Sequence, residues 1–90
     1  METNTLCLKI DGNSVMADLL QAEESLGGRQ ELALDFSGVS RIDSAGLEGL
    51  ESFAHRAEDK KTKVVLRAVN VNLYKTLKLA RLSRRFSFEN

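Results

Sequence analysis

Between Leu32 and Leu47 the hydrophobic period of the chain changes from two to 3.6, and that change limits what the chain can fold into. Leu32, Leu34 and Phe36 alternate with Ala33 and Asp35, the pattern of a strand with one apolar face, and Ser37-Gly38 breaks it. After the break Leu47, Leu50, Phe53, Ala54 and Ala57 return at helical spacing. Asp43 and Ser44 are therefore expected at a helix N-terminus, beyond the C-terminal end of a strand. In open α/β sheets that edge is where ligands and partners bind.

The flanking sequence repeats the pattern. Leu6, Leu8 and Ile10 alternate with Cys7 and Lys9 until Asp11-Gly12-Asn13 turns the chain. Asn13 or Ser14 can cap a first helix with Val15, Met16, Leu19, Leu20 and Leu26 on its apolar side. Asp18, Gln21, Glu23 and Glu24 are expected outside, and Gly27-Gly28 supplies a left-handed stop. The central helix closes near Glu58-Asp59-Lys60-Lys61. Lys63-Val64-Val65-Leu66-Arg67 reads as a strand covered on both faces. Asn70 or Asn72 caps a third helix in which Leu73, Leu77 and Ala80 share a face, ending near Ser83 without glycine or proline. Arg85-Phe86-Ser87-Phe88 makes a short edge strand. The order predicts an α/β fold, a small, mostly parallel four-stranded sheet with three crossover helices, as one domain over residues 1–90. With 42% apolar residues, ninety residues sustain one modest core.

The chemical inventory is thin. Thirteen basic and thirteen acidic residues cancel, so nothing global draws the chain to nucleic acid or an anionic membrane. The local basic excess at Lys75, Lys78, Arg81, Arg84 and Arg85 reads as a solvated helix face, with a phosphate-binding patch as the alternative. Cys7 stands alone, which excludes an internal disulfide, and its place in an apolar strand predicts a buried small hydrophobe. There is no basic leader and no apolar run of bilayer length, so a cytoplasmic protein without membrane insertion is expected. His55 falls on a polar helix face with Glu48, Glu51 and Ser52, too few ligand types for a metal site. Ser44 has no second histidine to act as its base, and no glycine-rich phosphate loop is present. These features predict no enzymatic activity, no metal and no cofactor.

The helix tip remains. Steps of about 100° per residue turn Leu47, Leu50, Phe53, Ala54 and Ala57 inward, with Gly46 at the edge of that face for close approach to the sheet. Ala45, Glu48, Ser52, His55 and Arg56 fall opposite, with Gly49 at the border. Small side chains around the Ser44 hydroxyl let another protein approach closely. A phosphoryl group on Ser44 adds about −1.5 to −2 charges. A helix N-terminus accommodates that charge, whereas a partner desolvating the same spot does not, which makes an interaction switch. The plainer alternative is that Asp43 or Ser44 is an N-cap, typically worth about 1 kcal/mol.

The run Asp35-Phe36-Ser37-Gly38-Val39-Ser40-Arg41-Ile42-Asp43-Ser44-Ala45-Gly46-Leu47 resembles the most recognisable segment of STAS domains, shared by sulfate transporters and anti-sigma factor antagonists. In that family a strand ends in D-L/F-S-x-V and is followed by x-D-S/T-x-G-L. Asn70 to Leu82 resembles the family's third helix, and the resemblance spans about Leu6 to Phe88. It implies a small α/β sheet with interspersed helices. In the bacterial anti-anti-sigma factors the serine after the motif Asp is phosphorylated by a serine kinase that is also the anti-sigma factor, and the unphosphorylated form binds that kinase. Carried over, Ser44 is the phosphoacceptor and Asp43 its orienting neighbour, while Ala45 stands where some relatives have a second serine. Three departures stand out. The family's G-E-L-D after the first strand reads Gly12-Asn13-Ser14-Val15 here, without the acidic residue that in relatives adds to the phosphorylation and partner surface. The glycine that usually ends the third helix is Arg81. The sequence ends at Asn90, before the family's fourth helix, which opens a sheet edge or face to self-association as a homodimer.

The resemblance thus implies a binding switch whose partner is an anti-sigma factor serine kinase. The docking face is expected at Asp43, Ser44, Ala45, Glu48, Gly49 and Ser52, beside the loop from Ser37 to Ile42. The alternative within the family is the small STAS subunit of a lipid-trafficking ABC transporter, which binds the ATPase subunit without a phosphorylation cycle; its D-T-G-G pattern differs modestly from Asp43-Ser44-Ala45-Gly46. A nucleotide-sensing domain is a third alternative.

Overall fold

The protein is described by a computed structural model covering residues 5–27 and 30–89. Seven elements follow in order: β1 (Thr5–Asp11), α1 (Val15–Glu23), β2 (Glu31–Gly38), α2 (Ser44–Asp59), β3 (Lys63–Arg67), α3 (Val71–Leu79) and β4 (Ser87–Glu89). The four strands are all parallel and lie in the order β1-β2-β3-β4.

That order determines where the core sits. Parallel crossovers are right-handed, so a chain stepping always in one direction lays every helix on the same face. Leu32, Leu34, Phe36, Val64 and Leu66 from the sheet accordingly share one core with Leu19, Leu50, Phe53, Leu73 and Leu77 from the three helices. The opposite face carries Cys7, Ala33, Val65 and Ser87 in one cross-strand row. Lys9, Asp35, Arg67 and Glu89 form the next row, charges alternating in register, and Glu31 faces Lys63 in the row before. Among the described residues no helix covers this face.

The one-sided sheet bears out one expectation and corrects another. Ala33 and Val65 are buried although they stand outside the helix-packed core. The continuous apolar run of β3 is thus buried on both faces, as its pattern implied. Cys7 is exposed rather than buried, because it lies on the same open face at the edge strand β1.

Helix α1 stops earlier than its apolar pattern implied. The Glu24 and Ser25 amides donate to the Gln21 and Ala22 carbonyls at 3.1 and 2.9 Å, tightening the last turn, and Leu26 is buried from the loop beyond. Thr62 Oγ1 pins that loop by donating to the Leu26 carbonyl at 2.9 Å. Ala22 takes the inward position, while Leu20 is 58% exposed. Gly28, half of the expected stop, lies outside the described residues.

Two helices end in the same way without glycine. After α2, Lys61 adopts φ 57°, with its amide on the Glu58 carbonyl at 3.1 Å and the Thr62 amide on Ala57 at 2.9 Å. After α3, Arg81 adopts φ 63°, with its amide on Lys78 at 3.0 Å and the Leu82 amide on Leu77 at 2.9 Å. Both are Schellman closures with a cationic residue in the left-handed position. The third helix therefore ends at Leu79 rather than near Ser83, and Ala80 is exposed instead of sharing the Leu73 and Leu77 face.

Candidate functional site

The C-terminal ends of β1 and β2 bring the starts of α1 and α2 side by side. At the end of β1, Gly12 passes so close to β2 that a Cβ there would lie 2.8 Å from the Gly38 carbonyl oxygen. Only glycine allows that approach. Asp18 then ties the β1–α1 turn, accepting from the Asp11 amide at 2.8 Å and from the Ser14 hydroxyl at 3.3 Å. Ser14 occupies the cap position of α1 without a side-chain cap hydrogen bond.

At the end of β2, Val39 is buried and its amide closes a turn onto the Phe36 carbonyl at 3.0 Å. Asn70 braces the same loop: its Nδ2 donates to the Ser40 and Val39 carbonyls at 3.0 and 3.3 Å, while its Oδ1 caps α3 by accepting from the Leu73 amide at 2.7 Å. Asp43 caps α2, its Oδ1 accepting from the Gly46 amide at 2.8 Å. Ser44 is the first residue of the helix, exposed, and its hydroxyl makes no hydrogen bond among the described residues. The cap and the free hydroxyl are thus held by two neighbouring residues.

The structure divides the expected docking residues. Asp43, Ser44, Ala45, Glu48 and Ser52 are exposed, and His55 continues their face. Gly49 is not on it: it is buried against α1, where a Cβ would come within 2.6 Å of Met16 Sδ and 3.4 Å of Leu19 Cδ1. Arg56 turns the same way and pairs with Glu23 of α1 at 3.4 Å. Gly46 is buried as expected, but the group above it is Ile42 rather than the sheet. A Cβ there would stand 3.0 Å from Ile42 Cδ1 and closer still to its Cγ1. Ile42 and Leu47 hold the N′ and N4 positions of a hydrophobic staple, and both pack on the core.

Between the two helix starts lies an open groove of about 570 Å³. Val15, Met16, Ile42 and Ala45 give it an apolar wall, and Asn13 and Arg41 a polar rim. Arg41 belongs to the loop expected beside the docking face, whereas Met16 was not among the residues expected there from sequence. Met16 reaches the site only because α1 packs across Gly49, and no local pattern around residue 16 announces that. Among the described residues no cluster of histidine, cysteine or acidic side chains could hold a metal ion. On the open sheet face the Asp35 carboxyl is held below its ordinary range, first by the Ser37 amide donating at 2.8 Å, then by the Ser37 hydroxyl and the cations Lys9 and Arg67.

The described residues thus form a parallel sheet with helices on one side, small residues at a helix tip and a groove beside it. The chain belongs to the STAS domain family, whose model matches residues 6–90. STAS domains are generally binding and regulatory domains. Compared by sequence with curated proteins, the chain finds no match. Its fold is shared with a sulfate transporter family protein from Wolinella succinogenes, at 21% identity and a TM-score of 0.79, covering 98% of this chain and 79% of that one. A protein from Thermotoga maritima assigned as an anti-sigma factor antagonist aligns at 16% identity and a TM-score of 0.74, over 100% of this chain and 82% of that one. The Bacillus cell fate determinant SpoIIAA, in its phosphorylated form, aligns at 17% identity and a TM-score of 0.61, over 100% and 87%.

Proposed function

We propose that the protein is a cytoplasmic interaction switch of the anti-sigma factor antagonist kind, docking a serine kinase through the tip of α2 and released by phosphorylation of Ser44. The observation that carries this reading is the division of labour at the tip. Asp43 caps the helix through the Gly46 amide, and the Ser44 hydroxyl is exposed and makes no hydrogen bond among the described residues. A phosphoryl group can be added there without dismantling the cap, and its charge lands where a partner would exclude water. Exposed Ala45, Glu48 and Ser52 make the rest of the face, with Met16 and Arg41 along the groove.

A second reading has its own observation. The segment Gly12 to Met16, which lines the groove, brings no carboxylate where kinase-coupled relatives carry one. A partner that binds irrespective of phosphorylation, such as the ATPase subunit of a lipid-trafficking ABC transporter, fits that rim. The deciding experiment is capture of the tagged protein from its native cytosol, with mass spectrometry of the bound proteins and of the peptide containing Ser44. The first reading expects a serine kinase together with a phosphorylated fraction at Ser44. An ABC ATPase with Ser44 unmodified moves the assignment to the second.

A further inference from the structure

From Asn70 to Phe86 the sequence holds five cations, Lys75, Lys78, Arg81, Arg84 and Arg85, and no acidic residue. The two carboxylates that flank this segment in the fold are already engaged. Glu58 pairs with Arg85 at 3.4 Å and Glu89 with Arg67 at 2.8 Å. Among the described residues Lys75, Lys78, Arg81 and Arg84 have no carboxylate in ion-pair reach. Since the whole chain is neutral, this local excess is balanced by acids elsewhere, and α1 and α2 carry Asp18, Glu23, Glu48, Glu51, Glu58 and Asp59. A local cluster of unpaired cations of this kind is attracted to a surface of opposite charge.

The basic side also carries apolar residues. Leu73 and Leu77 turn α3 toward the core, and 100° steps then place Val71, Lys75 and Leu79 along its outer line, with Tyr74 and Lys78 beside them. Leu79 is 86% exposed and Val71 68%. At the start of the helix this line runs into a groove of about 250 Å³ lined by Val69, Val71, Tyr74 and Phe88, with Glu89, paired to Arg67, at its rim; the Tyr74 and Phe88 rings meet edge to face at 5.1 Å. A side chain as prominent as Leu79 needs a socket in any rigid protein partner, whereas a fluid lipid layer accepts it wherever it lands. Lysine and arginine stems beside it can lie along the same boundary with their charged ends at the headgroups.

We propose that the outer face of α3 and the turn after it form a peripheral docking surface for an anionic lipid membrane. Lys75, Lys78, Arg81 and Arg84 supply the attraction, and Val71 and Leu79 the shallow apolar contact. This surface is separate from the α2 tip and does not depend on the function proposed for Ser44.

The test is sedimentation of the purified full-length protein with phosphatidylcholine vesicles, with and without phosphatidylglycerol. Binding is expected only with phosphatidylglycerol, and added salt should release it, because exposed charges are screened over about 10 Å at 0.1 M salt. Reversing two charges in a Lys75→Glu, Lys78→Glu double variant should weaken binding at least about tenfold, given the contribution of each cation near an anionic surface. Leu79→Ser should weaken it further at raised salt, where apolar contact matters most. Lys75→Gln with Lys78→Gln gives a milder version of the same loss should the reversed variant melt early. Ser44→Asp should bind vesicles as the unaltered protein does. Equal binding to both vesicle types, or binding indifferent to the lysines, overturns the proposal. So does absence of binding at low salt.

Discussion

Asp43 and Ser44 are adjacent and chemically similar as helix-capping residues, yet only one of them caps. The extended backbone at Asp43, φ −94° and ψ −176°, aims its carboxylate back at the Gly46 amide, while Ser44 already belongs to the helix. Asp43→Ala should therefore lower stability by about 1 kcal/mol, and Ser44→Ala should change it by no more than about 0.5 kcal/mol. Urea unfolding of the two variants separates them, and equal losses would make Ser44 part of the cap. The sequence allowed either residue to cap, because both types serve and the choice depends on a backbone angle. The two glycines of the helix were legible in part. Helical steps placed Gly46 correctly inside, but not under Ile42, whose loop conformation has no period to read. Gly49 lay at the border of the wheel, and the packing of Met16 across it decided the side. Gly46→Leu should destabilise the fold, since its side chain must displace Ile42 and open the staple. A melting temperature equal to that of the unaltered protein would contradict this packing.

At the scale of elements, strands and helices were readable wherever a period persisted over several residues, and their ends were less so. The ends of α2 and α3 carry Lys61 and Arg81 in a conformation that glycine adopts most easily, which is why neither was marked by the usual residue. Lys61→Gly and Arg81→Gly should each stabilise the protein by about 1 kcal/mol, seen as a raised melting temperature. The sheet has its own charge pattern. Lys9, Asp35, Arg67 and Glu89 line up across four strands only after the register is known, so no stretch of sequence displays the row. Asp35, held below its ordinary value near 3.8 by the Ser37 amide and the neighbouring cations, favours the folded state once pH exceeds the unfolded-state value. That contribution is lost as pH falls through its lower folded-state value. Asp35→Asn should thus be less stable than the unaltered protein at neutral pH, and the gap should close as pH falls below the ordinary carboxylate range. A gap independent of pH would remove the ionised carboxylate from this account.

For the molecule as a whole, a strand order that follows the sequence order explains most of what is seen. Among the described residues it places every helix on one side and leaves the other without one, carrying alternating, in-register charges. It also collects the β1–α1 and β2–α2 junctions at one edge, where the groove lies. The α/β class and the alternation of elements were legible because each segment declares its own period. The direction in which successive strands add was not, and the misplaced Cys7 follows from that. The tip of α2 was legible as an exposed helix start for a related reason: a strand, a short loop and a helix of small residues are contiguous in the chain. The groove needed α1, thirty residues away, to complete it. The central claim is that charge at Ser44 governs docking at this edge. The most direct measurement is the affinity of the captured partner for the unaltered protein, Ser44→Ala and Ser44→Asp, with all three shown to melt alike. The account predicts that Ser44→Ala binds constitutively and Ser44→Asp at least about tenfold more weakly, as a charge placed in a desolvated contact requires. Binding of both variants with the affinity of the unaltered protein would contradict it.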